Sequence, residues 1–378
     1  MRRTSRHFFL VLLAATLLLL APTPAAPQDD AFDNVGRIVA IGDVHGDLEQ
    51  FLSVLRSAGL VNEKRKWAGG KTHLVQTGDI PDRGPDTRKI MDLLMDLEQQ
   101  AKKAGGRVHC LLGNHEAMNI YGDLRYVTPE EYAAYRTTDS ERIREQFYED
   151  ELRSRPSTAP KPDEAFRKQW EGQYPLGWFE HRFNFGLSGK YGKWLLNHNA
   201  VLRINKVLFL HGGLSPKYTG ITIRGFNDQV RAELKDWTKL TGGMVTDSDG
   251  PLWYRGLATE PEGELSAHVD QMLAAHGVEH IVMGHTPTAG AIMPRFGGKV
   301  ILIDVGMSKF YGGPPACLAI EGTKFLAMHR GRPLELPVGG GDVLAYLKAA
   351  AALEAPDSRL ARVVQAGAGV AAVGRDDP

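Results

Sequence analysis

Asp43, His45, Asp79, Asn114, His211 and His285 each stand at the end of a short apolar run punctuated by glycine. "RIVAIGDVHGD" delivers Asp43 and His45, and "THLVQTGDIPDRG" delivers Asp79, Asp82 and Arg83. "VHCLLGNHE" delivers Asn114 and His115, "KVLFLHGG" delivers His211, and "HIVMGH" delivers His285. Polar side chains crowded at the end of a buried strand are costly unless something binds them. Carboxylate, imidazole and amide oxygen, with no thiolate, suit hard-to-borderline divalent metals such as Mn, Fe or Zn in expanded coordination. Six such ligands are too many for one typical site and suit two ions about 3.5–4 Å apart that share one bridging carboxylate. An ion pair of that kind can hold a hydroxide and clamp the attacking and leaving oxygens of a phosphoryl transfer. Gly-Asp alone is a common turn dipeptide; a series of strand endings of this kind is not.

The elements that must position these residues are legible too. Each run is rich in Val, Ile and Leu, has strand length and stops at or beside glycine, so each reads as a buried strand. "LEQFLSVLRSAGL" and "TRKIMDLLMDLEQQAKKAGG" lie between the first three runs, are apolar at helical spacing and end in glycine. Strands alternating with helices predict α/β architecture, in which sites form at the carboxyl ends of strands. "GNHE" reads as a tight turn, on which adjacent side chains cannot both aim at one ion. Asn114 and His115 are therefore expected to do different jobs.

In the order "GDVHG", "GDIPDRG", "GNHE", "HGGLSP" and "GHT", these segments resemble the calcineurin-like metallophosphoesterases, and within them the phosphoprotein phosphatases. "GDIPDRGPDT" and "LLGNHEAMN" look closer still to the Shewanella-like phosphatase branch. The resemblance covers roughly Val35 to Gly313. It implies an α/β fold with a central β-sandwich flanked by helices and a dinuclear metal site, to which the long stretch between His115 and His211 adds a helical insert. By motif match, Asp43 and His45 hold the first metal, Asp79 bridges, and Asn114, His211 and His285 hold the second. His115, paired with Asp82, is the implied general acid, Arg83 is a phosphate clamp, and Arg255 of "PLWYRG" is the counterpart of the second clamp arginine. The tyrosine-bearing segment of the eukaryotic serine/threonine enzymes has no clear counterpart. "LIDVGMSKFYGG" occupies that part of the chain, and Tyr311 either lines the site or is a buried structural residue.

The resemblance implies a metal-dependent phosphatase, and the N-terminal leader described below predicts a secreted or periplasmic one. It would hydrolyse phosphomonoesters, phosphoprotein first, by a metal-bridging hydroxide with His115 as the acid. The alternative is hydrolysis of a small phosphate ester or dinucleoside polyphosphate. A third reading, a binding protein that has lost the chemistry, predicts a missing ligand, and none is missing.

The rest of the 378-residue chain sets bounds. Lys+Arg and Asp+Glu balance at 45 each, which argues against a nucleic-acid partner. Cys110 and Cys317 lie in apolar segments and read as buried thiols, although one disulfide is possible by number. "MRRTSRHFFLVLLAATLLLLAPTPAAP" has a basic start, an apolar run and a small-residue end, so residues 1–26 read as a cleavable signal peptide. The run is shorter than the ~20 residues of a bilayer span, so no stable membrane span is expected in the mature chain. Residues 33–335 read as the phosphatase domain. The charged stretch at about 122–190 reads as a helical insert that shapes substrate access, or else as a solvated decoration. Residues 336–378 read as an Ala-rich helical tail that either packs on the body or mediates association. His73, His109, His198, His276 and His280 read as packed or capping histidines, and Trp67 and Trp253 as core anchors. Oligomeric state is not legible.

Overall fold

The loops that carry the candidate ligand residues leave the ends of two sheets. The computed structural model describes residues 29–366. Its strands are β1 (Ala31–Phe32), β2 (Arg37–Ile41), β3 (His73–Gln76), β4 (Arg107–Cys110), β5 (Val201–Ile204) and β6 (Val207–Leu210). They continue as β7 (His280–Met283), β8 (Met293–Arg295), β9 (Val300–Leu302), β10 (Ala316–Glu321), β11 (Lys324–His329) and β12 (Arg332–Glu335). One six-stranded sheet runs β12-β11-β10-β2-β3-β4 and the other β1-β5-β6-β7-β9-β8.

Each sheet has a run of three parallel strands, β2/β3/β4 at one side of the first and β6/β7/β9 inside the second. Of these, β2, β6, β7 and β9 are near-continuous apolar runs, as parallel strands covered on both faces require. Register brings their carboxyl ends level. Ile41 pairs with Gln76 and Gln76 with Cys110, while Leu210 pairs with Met283 and Met283 with Leu302. The loops after β2, β3, β4, β6, β7 and β9 therefore leave at common edges.

Helices Leu48–Ser57 and Thr87–Lys103 make the crossovers. The first is capped by Asp47, whose carboxylate accepts the Gln50 N–H at 3.1 Å, and buries Phe51, Leu52, Val54 and Leu55. The second buries Ile90, Met91, Leu94 and Leu97 on one face. Each such leucine contributes roughly 1.5–3 kcal/mol of transfer free energy. One continuous apolar cluster runs through both sheets and these helices.

The insert is a run of helices, Pro129–Ala133, Ser140–Ser154, Glu164–Gln173, Trp178–Phe185 and Lys190–Leu195. It carries a small core of its own around Tyr148, Trp170 and Phe179. The charged helix Ser140–Ser154 fully buries only Ser140 and Tyr148, leans Ile143 and Leu152 on the small core, and leaves its charged residues largely to solvent. The tail helices Val343–Ala351 and Arg359–Gln365 pack on the body. Leu347, Ala350 and Leu360 join the main core, and the Tyr346 hydroxyl donates to Ile292 O at 2.9 Å. Glu354 ties the tail to His329 and Arg330 at 2.9 and 2.6 Å. Cys110 and Cys317 are free and buried; burial pushes the Cys317 thiol up to about 12. Among the described residues no helix is long and apolar enough to cross a membrane. The leader, residues 1–26, lies outside the described residues.

One local expectation is corrected. "GNHE" is not an isolated tight turn but the opening of helix Asn114–Tyr121, capped by Gly113. Adjacent helical positions diverge by about 100° around the axis, so Asn114 and His115 still point apart, for a different reason.

Candidate metal centre

The loop after β2 hangs on the loop after β3. The main-chain N–H groups of Val44 and His45 donate to Asp79 O at 2.9 and 3.0 Å, and Gly46 N–H donates to Ile80 O at 2.9 Å. A buried carboxylate, Glu116, ties the loop after β3 to that after β4. It accepts from Asp79 N and Gly113 N at 2.8 Å each and from Ile80 N at 2.7 Å. Gly113 must be glycine, because a Cβ there would collide with Asp79 Oδ1. His45, Asp79, Asp82, Arg83 and His285 all have φ between 45° and 73°. Non-glycine residues seldom adopt this region, and each costs about 1–3 kcal/mol unless its surroundings hold it there. The sequence spends that strain where side chains must be aimed off strand ends.

Asp79 is shared between two candidate ligand groups, one with His45 and His115 and one with His211 and His285. Its Oδ2 lies 3.8 Å from His45 Nε2, 3.8 Å from His115 Nε2 and 3.2 Å from His211 Nε2. His211 Nε2 is in turn 2.9 Å from Asn114 Oδ1 and 3.1 Å from His285 Nδ1. Asp43 completes the cluster, with Oδ2 3.9 Å from His45 Nε2 and both oxygens accepting from His285 N, at 3.1 and 3.2 Å. All six are buried.

The histidines are aimed by the nitrogen that faces away. His45 Nδ1 sits 3.1 Å from Pro81 O, His211 Nδ1 3.0 Å from Thr77 O, and His285 Nε2 3.0 Å from Trp253 O. A carbonyl can only accept, so each of these nitrogens carries the proton and the other presents its lone pair to the cluster. Burial holds His45 and His285 well below the usual histidine range, in the neutral form a metal needs. Burial and then the neighbouring Asp304 and Asp79 drive Asp43 well above the carboxylate range, a repulsion that cations would relieve. Donor types, convergence and crowded negative charge all fit two divalent ions.

His115 breaks the pattern. Its Nδ1 faces a carboxylate, Asp82 Oδ2, at 2.5 Å. Burial opposes its protonation, yet Asp79 and Asp82 outweigh burial and raise it above the usual histidine range. Asn119, one turn further along the helix, donates from Nδ2 to Asp82 Oδ1 at 2.9 Å. Distance to Asp79 does not separate His115 from His45, since both are at 3.8 Å; the partner of the outward nitrogen does. Arg83 Nη2 lies 3.3 Å from His115 Nε2, and its guanidinium sits 5.0–5.1 Å from the rings of Tyr126, Phe310 and Tyr311. Arg255 Nη1 donates to His285 O at 2.6 Å and to Thr286 Oγ1 at 3.3 Å. The structure thus brings all ten candidate residues to one place.

It also adds residues the sequence reading did not single out. Asp304 follows β9, is fully buried, accepts from Gly306 N at 2.8 Å through Oδ1 and leaves Oδ2 without a partner. Burial, ahead of the nearby charges, pushes it to about 6. The signal was present, since "VILIDVG" ends an apolar run in Asp just as the other motifs do. Trp253 contributes a main-chain carbonyl and not only a packed ring. Asn119 and Tyr126 have no signature of their own; Glu116 stands in "GNHE", but its tie between two loops does not show in the sequence.

Residues 36–289 match the family model described as calcineurin-like phosphoesterase. The chain is 36% identical over 293 residues to an uncharacterized protein of Schizosaccharomyces pombe, covering 75% of this chain and 77% of that one. It is 31% identical over 296 residues to Shewanella-like protein phosphatase 2 of Arabidopsis thaliana, covering 74% and 73%. The crystal structure of a cold-active protein-tyrosine phosphatase from a psychrophilic Shewanella species superposes with a TM-score of 0.63 at 29% identity, covering 82% of this chain and 83% of that one.

Proposed function

The chain belongs to the calcineurin-like phosphoesterase family and is a metal-dependent phosphatase; on that premise we propose that it is an exported phosphomonoesterase acting on phosphoprotein, with phosphotyrosine preferred. In this reading Asp43, His45 and Asp79 hold one ion, and Asp79, Asn114, His211 and His285 the other. His115 is the general acid, Asp82 its orienting base, and Arg83 and Arg255 the phosphate clamps. The observation that carries the division of labour is the histidine pattern: three rings hydrogen-bonded outward to main-chain carbonyls and one to a carboxylate.

Two ions bound by this donor set supply Lewis acidity and activate the attacking water. The chain does the rest. Arg83 and Arg255 offer fixed guanidinium forks to the phosphoryl oxygens. Asp82 stabilises the imidazolium of His115, whose Nε2 proton is aimed at the leaving oxygen. The left-handed turns hold these groups before substrate arrives, so little reorganisation is left for the reaction itself.

Substrate class is read from the ring cluster at Arg83. Phe310 is 60% exposed and stands with Tyr126 and Tyr311 around the clamp. An aryl phosphate places its own ring against such walls, a contact worth about 0.5–1.5 kcal/mol beyond area burial. The name of the similar Shewanella protein agrees. Export rests on the basic-apolar-small leader, and the metals on an O/N donor set that accepts Mn, Fe or Zn. The test compares kcat/KM on matched phosphotyrosine and phosphoserine peptides and on diadenosine tetraphosphate. A clear phosphotyrosine preference is expected. A preference for diadenosine tetraphosphate would favour the small-molecule reading, because the same rings stack an adenine.

A further inference from the structure

The His115–Asp82 pair rests on a floor supplied by the helical insert. Asp82 and Arg83 are consecutive non-glycine residues in the left-handed region, with φ of 73° and 65°, so their turn must be held by neighbours. The chain leading into the insert supplies one hold, as Arg83 N–H donates to Tyr126 O at 3.1 Å. The first insert helix supplies the other. Glu131 lies fully buried behind the turn, with the Asp82 main-chain N–H and the Thr87 hydroxyl pointing at its carboxyl. Neither carboxyl oxygen closes a hydrogen bond of ordinary geometry, and a buried group of this kind calls for an explanation.

The surroundings of Glu131 are those of a neutral acid. Burial and then the charge of Asp82 hold its carboxyl well above the usual range. His181, whose Nε2 is 3.8 Å away, is held down to about 3 by burial and then by Arg182. This is therefore no ion pair. Tyr132 and Tyr135, its neighbours, are held protonated by burial. A neutral carboxyl can face the main chain of Asp82 without disturbing the charge that Asp82 lends to His115. A second tie runs in parallel: Arg182 of helix Trp178–Phe185 donates to Asn119 O, and to Ile120 O at 3.4 Å. Asn119 is the residue whose side chain holds Asp82 Oδ1. Two insert helices thus reach the same carboxylate, one through its backbone and one through Asn119.

We propose that Glu131 is a positioning residue for leaving-group protonation: from the insert it braces the left-handed Asp82–Arg83 turn and so fixes the carboxylate that aims His115. The proposal rests on the reading of His115 as the general acid. It gives the insert a part in the chemistry distinct from shaping access to the site.

The experiment compares purified holoenzyme carrying Glu131→Ala, Glu131→Gln or His115→Asn, on phosphoserine peptide and on p-nitrophenyl phosphate. The second substrate has a leaving group that needs little protonation. Glu131→Ala is expected to lower kcat on phosphoserine peptide by about tenfold or more and on p-nitrophenyl phosphate by no more than about threefold. KM and metal content should be unchanged. Glu131→Gln, a neutral group of the same shape, should restore most of the loss. If the alanine variant does not fold, Glu131→Leu, which keeps the volume, must show the same split between substrates. His115→Asn reports on the underlying reading and should show a larger split. If His115→Asn splits the substrates while Glu131→Ala slows both equally or neither, the role of Glu131 is overturned and the acid stands. If His115→Asn shows no split, both fall.

Discussion

His115 Nδ1 lies 2.5 Å from Asp82 Oδ2, while Nε2 of the same ring looks into the metal cluster, 3.8 Å from Asp79. A ring anchored by a carboxylate through Nδ1, with Nε2 turned to the candidate ligand cluster and to Arg83, is placed to carry a proton. Asn114, the preceding residue, instead turns its amide oxygen to His211 Nε2 at 2.9 Å. His115→Asn is therefore expected to keep both metals and lose about 10²–10⁴-fold in rate on phosphoserine, with a smaller loss on p-nitrophenyl phosphate. Asn114→Ala is expected to lower metal occupancy and damage both substrates alike. Metal analysis beside two-substrate kinetics checks the pair. A His115→Asn protein short of one metal would make that ring a ligand.

Asp79 is the residue common to both ligand groups. Asp79→Asn replaces a charged bridge by a neutral one and should cost both bound metal and turnover. Elemental analysis of the purified variant checks this, and two retained ions with normal activity would contradict the bridging assignment.

Buried neutral histidines set the acid limit of stability. Burial pushes His181 down to about 3 and His73 to about 4. An unfolded histidine takes up its proton near pH 6.5. Below that pH the unfolded chain binds protons that the folded chain does not, so stability is complete above pH 6.5 and is lost as pH falls. The loss continues to about pH 4 for His73 and about pH 3 for His181. The slope approaches roughly 1.4 kcal/mol per pH unit for each histidine. His181→Phe, which keeps the ring stacked on Phe185 at 4.5 Å, should flatten the fall in urea midpoint between pH 7 and 5. An unchanged slope would show that His181 is not buried neutral.

Phe310 tests the substrate reading. Removing the exposed ring beside Arg83 in Phe310→Ala should lower kcat/KM on phosphotyrosine peptide by roughly 2–10-fold, the size of one aromatic contact, and leave phosphoserine peptide nearly untouched. Equal losses on the two peptides would remove the aromatic wall as a source of preference.

Much of this molecule was legible because the chemistry sits where strands stop. A buried strand that ends beside glycine in Asp, Asn or His advertises itself by hydrophobic run and punctuation, so β2, β3, β4, β6 and β7 and the candidate ligands after them could be read directly. Asp304 obeys the same rule after β9 and was overlooked because its motif has no histidine or asparagine beside it. The parts played by Glu116, although it stands in "GNHE", and by Glu131 were not legible. Each acts by facing main-chain N–H groups from a residue distant in sequence, and pattern carries no trace of such a contact. The tail could be read as Ala-rich helix, but its packing depends on Tyr346 meeting Ile292 across 54 residues, which local periodicity does not encode.

The most direct measurement is a metal titration of the stripped enzyme. The purified protein is treated with chelator, shown to be metal-free, and titrated with Mn while phosphate release from a phosphotyrosine peptide is followed. The account predicts no activity in the stripped protein and recovery that saturates at two ions per chain. Full activity in the stripped protein, or saturation at a single ion, would contradict it.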